Sequence, residues 1–95
     1  MVKHLENTND FENIIKGKVL VDFYADWCGP CKRLAPILEE LESIDVLKVN
    51  VDSFDEISRR YGIMSIPTLI LFENGEEIKK SIGFKTKDEI NEFIK

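Results

Sequence analysis

Two cysteines, Cys28 and Cys31, are the only thiols of the chain and lie two residues apart in the segment ADWCGPCKRLAP, residues 25–36. A pair at this spacing can form a structural disulfide, supply two metal ligands or exchange electrons with another disulfide. A disulfide that closes so short a loop removes little entropy from the unfolded chain, roughly 2 kcal/mol. Structure alone is therefore a weak reason for this spacing.

A metal site is equally hard to complete from this sequence. A closed zinc site needs four ligands, and the chain adds only His4, which is far from the cysteines in sequence. Without a second C-x-x-C, zinc would require a site shared between two chains. His4 is more simply explained as a histidine at the surface or at the end of a strand.

Electron exchange fits the local pattern better. Cys28 follows a strand-like run and precedes Gly29 and Pro30, where we expect a helix to begin. Unpaired N–H groups and the helix dipole at that point favour the thiolate form of Cys28. Cys31, one turn further in, should be more shielded, which would let one thiol attack a disulfide and the other resolve it. Lys32 and Arg33 are either solvated helix surface or a help in holding negative charge at the sulfur.

The composition limits the class of protein. With 95 residues, 43% of them hydrophobic, the chain can build one core without disulfides or metals, and we expect a single domain over residues 1–95. A net charge of −5 with mixed signs argues against a nucleic-acid binder. No apolar run approaches the roughly 20 residues of a membrane span, and the first 15 residues lack the apolar core of a secretory signal. We therefore expect a cytoplasmic protein that does not bind membranes.

Apolar runs and helical patterns alternate along the chain. KVLVDFYA (18–25) is apolar on both faces, which indicates a central strand, and Leu34, Ile37, Leu38 and Leu41 repeat at helical spacing within residues 31–43. VLKVNVD (46–52) indicates a second strand, and Asn74-Gly75 a hairpin between TLILFE and EIKKSIG. Capping boxes predict further helices after Ser53 (with Glu56) and Thr86 (with Glu89). With a short strand and a helix over 10–15 in front, the order is (β)αβαβαββα, an α/β fold with a central mixed β-sheet flanked by helices on both faces.

The whole chain resembles the thioredoxin family. The resemblance rests on VDFYADWCGPCKRLAP (21–36), on YGIMSIPTLILFENG (61–75) and on Gly83. It implies the thioredoxin fold, with Cys28 as the attacking thiol and Cys31 as the resolving thiol of a redox-active disulfide. Four residues depart from the common pattern and bear on the choice of targets: Tyr24, Met64, Ser65 and Phe84.

The resemblance also assigns an aspartate and a lysine to the neighbourhood of the cysteines. Asp22 matches a buried acid beneath the active site, where desolvation would raise its pKa and make it a base for Cys31. Lys48 matches a lysine that lies near that acid. The alternatives that remain open are an aspartate on a wet sheet edge and an ordinary surface lysine on a strand.

A substrate-binding rim follows from the same resemblance. Pro67 matches a cis-proline that faces the cysteines, so the Ile66–Pro67 bond should be cis and the backbone of Ile66 free to pair with a substrate strand. The alternative is an ordinary trans proline. The rim residues implied are Trp27, Gly29, Pro30, Ile66, Pro67 and Gly83.

The activity implied is that of a general protein-disulfide reductase and electron carrier, which binds no cofactor and uses NADPH only through a thioredoxin reductase. Implied targets include ribonucleotide reductase, peroxiredoxin and methionine sulfoxide reductase, and we expect a monomer. Two rival hypotheses are an oxidant or isomerase on the same fold, against which Gly29-Pro30 argues, and a binding module whose cysteines are incidental.

Overall fold

The computed structural model describes all residues, 1–95, and places five strands in one mixed sheet with the order β1-β3-β2-β4-β5. β3 is parallel to β1 and β2, whereas β4 is antiparallel to β2 and β5. A 3₁₀ turn at Thr8–Asp10 precedes the first helix. The elements are β1 (Val2–His4), α1 (Phe11–Ile14), β2 (Val19–Tyr24), α2 (Gly29–Glu39), β3 (Asp45–Asn50), α3 (Asp55–Arg60), β4 (Thr68–Glu73), β5 (Glu76–Ile82) and α4 (Lys87–Phe93).

Alternation along the central strands divides the core between the two faces of the sheet, because successive side chains of a strand point to opposite sides. On one face, Val21 and Phe23 pack in a cluster with Phe11 of α1 and Ile57 of α3. On the other face, Leu20 and its strand neighbours pack against α2 and α4; the members of this second cluster include Leu20, Leu34, Leu38, Val46, Leu69, Leu71, Ile90 and Ile94. The predicted fold, a mixed sheet with helices on both faces, is confirmed.

Two helix boundaries differ from the sequence-based predictions. The long helix begins at Gly29 and ends at Glu39, short of the predicted residue 43. Leu41 and Ile44 lie beyond its end, yet both are buried in the cluster beneath α2. Helical spacing therefore continued past the helix because the turn toward β3 also buries its apolar side chains.

The predicted capping box at Ser53 is wrong. Helix α3 begins at Asp55 after Phe54, and no side chain caps it. The Asn50 side chain instead accepts the backbone N–H of Asp52 at 2.9 Å, which stabilises a turn over these residues. Phe54 packs against the core and fixes the later start of the helix. The capping box of Thr86 with Glu89 and the hairpin at Asn74-Gly75, both residues with positive φ, are confirmed.

Candidate functional site: a disulfide at the start of a helix

The cysteine pair lies where the central strand β2 leads into α2. Cys28 is the N-cap of α2, and its Sγ accepts the backbone N–H of Cys31 at 3.3 Å. Pro30 stands in the first turn, where its missing N–H costs no helical hydrogen bond. Cys28 and Cys31 are joined by a disulfide, with their Cα atoms 5.2 Å apart. The expected position of the pair, at the start of a helix that follows a strand, is confirmed.

The exposed fractions of the two cysteines barely distinguish them. Cys28 is 4% exposed and Cys31 is 2% exposed. Cys31 is the more shielded residue, as expected, but by a margin too small to separate two roles. Any difference between the thiols must therefore come from the groups around them.

The loop before β4 faces Cys28. The peptide bond between Ile66 and Pro67 is cis, as the resemblance implies. The carbonyl oxygen of Ile66 lies 3.8 Å from the Sγ of Cys28. At the start of β4, the Thr68 hydroxyl donates a hydrogen bond to the Ser65 carbonyl at 2.7 Å and holds the loop to the strand. The backbone of this loop thus borders the sulfur that the sequence assigns to attack.

Gly83 holds the same loop from the other side. Its backbone N–H donates a hydrogen bond of 2.8 Å to the carbonyl of Pro67. Its φ of +96° lies in a region that side chains other than glycine's rarely adopt. The requirement at this position is conformational, because no atom lies near enough to exclude a Cβ.

An open groove of about 400 Å³ lies next to the Cys28 end of the disulfide, because its lining includes Trp27 and Ile66. We call this the outer side of the disulfide. Two apolar members of the groove are strongly exposed, Met64 at 95% and Trp27 at 69%. The indole of Trp27 is fixed, because its Nε1 donates a hydrogen bond of 3.0 Å to Asp52. Exposed apolar side chains around a groove are typical of a surface that binds proteins. The groove is lined by Trp27, Val51, Ile63, Met64, Ser65 and Ile66.

The groove agrees only in part with the rim read from the sequence. Trp27 and Ile66 both line it, whereas Gly29 and Pro30 are exposed at the start of α2 and Gly83 lies beside Pro67. Sequence reasoning missed Val51, Ile63 and the hydrogen-bond partner Asp52. A signal for Asp52 was available, because the carboxyl ends of parallel strands meet at one edge of a sheet and Asp52 closely follows β3.

Asp22 and Lys48 form an ion pair on the Cys31 side of the disulfide, under α2. We call this the inner side of the disulfide. The two residues are registered neighbours on β2 and β3, and the Nζ of Lys48 lies 3.1 Å from the Oδ2 of Asp22. Their side chains are 0% and 7% exposed, so neither the wet sheet edge nor the surface lysine describes them. Lys48 is close but not aligned for a hydrogen bond, and neither oxygen of Asp22 has a hydrogen-bond partner.

Burial raises the pKa of Asp22, an effect that the nearby Lys48 and His4 oppose only in part. A carboxyl group in this setting keeps its proton to a higher pH than an ordinary aspartate, because desolvation disfavours the charged form. Cys31 lines an open cleft of about 220 Å³ together with Tyr24 and Lys48. Cys31 and the ion pair of Asp22 with Lys48 therefore lie on the same side of the sheet.

The two basic residues of the first turn of α2 are exposed. Lys32 borders the cleft beside Cys31. The guanidinium of Arg33 lies over the ring of Phe84, 5.5 Å from its centroid, so it packs against one of the residues that depart from the family pattern. His4 is exposed at the end of β1, as expected.

The structure shows no group of three or more histidine, cysteine or acidic residues that could hold a metal ion. It also shows no helix with the length and apolarity to cross a membrane.

Known proteins resemble this chain in sequence and in structure over most of its length. A family model described as thioredoxin matches residues 1–95. A thioredoxin of Chlamydia trachomatis is 45% identical over 98 residues, covering 99% of this chain and 96% of the relative. A thioredoxin of Bacillus subtilis is 45% identical over 84 residues, covering 83% and 81%. Among solved structures, a mutant thioredoxin from Halobacterium salinarum is 33% identical with a TM-score of 0.91, covering 98% of this chain and 87% of that one.

Proposed function

This chain belongs to the thioredoxin family and is a protein-disulfide reductase, and we propose how its residues divide that reaction. Cys28 is the attacking thiol and Cys31 the resolving thiol. The observation that supports this assignment is the position of Cys28 as the N-cap of α2, with its sulfur beside the backbone carbonyl of Ile66. Donors at a helix N-terminus stabilise a thiolate, which is the form of cysteine that attacks a disulfide.

The reaction proceeds in two exchanges. The Cys28 thiolate attacks one sulfur of the target disulfide, forming a mixed disulfide and releasing the other target sulfur as a thiolate. Cys31 then gives its proton to the carboxylate of Asp22 and attacks the Sγ of Cys28. The Cys28–Cys31 bond forms as the bond to the target breaks, and the second target sulfur leaves as a thiolate. Two electrons pass from the cysteine pair to the target.

Asp22 and Lys48 act together in the proton step. Asp22 is the base because it is buried on the side of the sheet that α2 covers and its pKa is raised. Lys48 stabilises the ionised form of Asp22 from 3.1 Å. Without that cation, a fully buried carboxylate would be too costly to form near neutral pH.

The rim around Cys28 binds the target. An extended segment of the target pairs with the backbone at Ile66, as a strand added to an exposed edge does. Trp27, Gly29 and Pro30 provide apolar contacts on one side of the disulfide, while Gly83 holds Pro67 and the loop on the other.

Membership of the family implies two kinds of partner, a reductase and proteins with reducible disulfides, and a reaction without a bound cofactor. We propose that the reductase is a thioredoxin reductase that draws on NADPH. Ribonucleotide reductase, peroxiredoxin and methionine sulfoxide reductase are the proposed targets. The protein would act as a monomer and a single domain in the cytoplasm, where disulfides are normally kept reduced.

The reduction potential of the Cys28–Cys31 pair tests the direction of the reaction. It is measured by equilibration in dithiothreitol buffers, with the fluorescence of Trp27, the only tryptophan, as the signal. We expect about −270 mV, the general value for thioredoxin, which is carried over from the family. A value near −120 mV, typical of a strong oxidant, would make the protein an oxidant. The control is the double variant Cys28→Ser/Cys31→Ser, which should show no redox-dependent fluorescence and should not reduce insulin.

A further inference from the structure

Four polar side chains share the face of the sheet that α2 covers. Lys48 on β3 is the registered neighbour of His4 on β1 and of Asp22 on β2. Tyr24 follows Asp22 by two residues on the same strand, so both point to the same side. The register of three strands therefore brings an exposed histidine, a tyrosine, a lysine and a buried aspartate together.

These residues form a continuous chain of contacts. The Nδ1 of His4 lies 3.3 Å from the hydroxyl of Tyr24, and the two rings meet edge to face. The Nζ of Lys48 lies 4.4 Å from the centroid of the Tyr24 ring and 3.1 Å from the Oδ2 of Asp22. The lysine is thus held between a ring face and a carboxylate, while the far end of the ring is tied to β1.

We propose that Tyr24 is a positioning residue that holds the ammonium group of Lys48 against Asp22, and that His4 fixes the ring of Tyr24 through its hydroxyl. The proposal rests on the role of Asp22 proposed above. A lysine has a flexible four-carbon stem, and the face of an aromatic ring attracts a cation. The open cleft beside Lys48 offers its ammonium group a route away from Asp22. The ring closes that route.

The surroundings of the cleft agree with this role. The hydroxyl of Tyr24 is protonated near neutral pH, as in any tyrosine, and burial raises its pKa further, so it can donate to His4. Asp26 and Lys32 also border the cleft and carry charges of opposite sign. The titratable groups that line the cleft are His4, Tyr24, Asp26, Cys31, Lys32 and Lys48. Only Lys48 among them is paired with Asp22.

The variant Tyr24→Leu tests the proposal. It removes the ring while keeping an apolar side chain, so we expect the pKa of Asp22 to rise further. The titration of the Asp22 carboxyl carbon is followed by NMR in the oxidised protein, where no redox reaction takes place. In the reduced protein, the pH midpoint of mixed-disulfide resolution should move upward, and resolution at pH 7 should slow about threefold.

Two further substitutions of Tyr24 separate the ring from the hydroxyl. Tyr24→Trp keeps a ring face over Lys48 and should restore the wild-type titration of Asp22. Tyr24→Phe and His4→Ala each break the tie between ring and β1, so each should raise the pKa of Asp22, and Tyr24→Phe should raise it by less than Tyr24→Leu. His4→Ala also removes the direct effect of the histidine on Asp22. Because both break the same contact, their shared effect should not add in the double variant. An additive double variant would overturn the part assigned to His4.

The Lys48→Met background is the decisive control. With no cation to position, adding Tyr24→Leu should leave the titration of Asp22 where Lys48→Met alone puts it. An equal shift in the presence and absence of Lys48 would mean that Tyr24 acts through packing or desolvation, which overturns the proposal. So would an unchanged Asp22 titration in Tyr24→Leu. A shifted titration with an unchanged rate of resolution would support the positioning role and overturn Asp22 as the base.

Discussion

The two sulfurs of the Cys28–Cys31 disulfide differ in their surroundings far more than in their burial. Outside Cys28 lie exposed apolar side chains and the loop backbone at Ile66, with Trp27 69% exposed. On the Cys31 side lies an ion pair whose aspartate is fully buried. We propose that one side meets another protein and that the other holds a proton away from water. A single helix start can therefore give two thiols different tasks by facing them toward different groups.

Replacing Asp22 should impair only the step that takes place on the inner side, the resolution of the mixed disulfide. Among the substitutions considered, it should have the largest effect. In Asp22→Asn, Cys31 has no base, so resolution of the mixed disulfide should slow about 100-fold at pH 7. The attack by Cys28 should change little, because the outer side is intact. Stopped-flow measurement of the two steps checks this. Equal slowing of both steps would contradict the division between the two sides.

The same variant should change how stability depends on pH. The folded pKa of Asp22 is raised by burial above its ordinary value of 3.8, so the folded protein holds a proton that the unfolded chain releases. The contribution of Asp22 to the unfolding free energy is therefore greatest below pH 3.8 and falls as pH rises through the folded pKa. The free energy of wild type minus that of Asp22→Asn, from urea unfolding, should decrease over that range. A difference that grows with pH would contradict the raised pKa.

Shortening an exposed side chain of the groove should weaken the binding of the target protein. It should leave the proton transfer from Cys31 to Asp22 unchanged. Trp27→Ala removes an exposed ring from the groove, and we expect KM for a protein disulfide to rise about tenfold with kcat nearly unchanged. Asp52→Asn is the matched control, because it weakens the partner of the indole and leaves the ring in place. Its effect on KM should be smaller and of the same sign. A loss confined to kcat would show that Trp27 serves the chemistry and not the docking.

A change far from both sides should alter stability and leave catalysis alone. Thr86→Ala breaks the capping box of α4 and should lower the free energy of unfolding by about 1 kcal/mol. The reductase activity of the folded protein should stay at the wild-type level. Calorimetry and an insulin-reduction assay at low temperature check the two expectations. Reduced activity without reduced stability would mean that α4 contributes to the site.

The sequence predicts the fold well because its signals are local and mutually consistent. Alternating apolar runs, the Asn74-Gly75 turn and the Thr86 capping box each specify an element that the structure contains. The errors occur where tertiary contacts decide. The start of α3 depends on the packing of Phe54 and on the hydrogen bonds of Asn50, neither of which is visible in the pattern around Ser53.

Only those residues of the site that belong to a recognisable sequence motif could be predicted. Cys28, Cys31, Asp22 and Pro67 were found from WCGPC and its neighbouring segments. The contact of His4 with Tyr24 was not, because it depends on the register of β1 against β3, and a strand of three residues carries little register information. The residues that line the groove beyond Trp27 and Ile66 come from loops, whose conformation a pattern of side chains does not fix.

The most direct test of the division between the two cysteines is to ask which one forms a stable bond with a target. Cys31→Ser and Cys28→Ser are each reacted with a protein disulfide such as that of insulin, and the products are weighed by mass spectrometry without reductant. We expect Cys31→Ser to accumulate a mixed disulfide through Cys28, and Cys28→Ser to accumulate almost none. Equal or greater accumulation through Cys31 would contradict it.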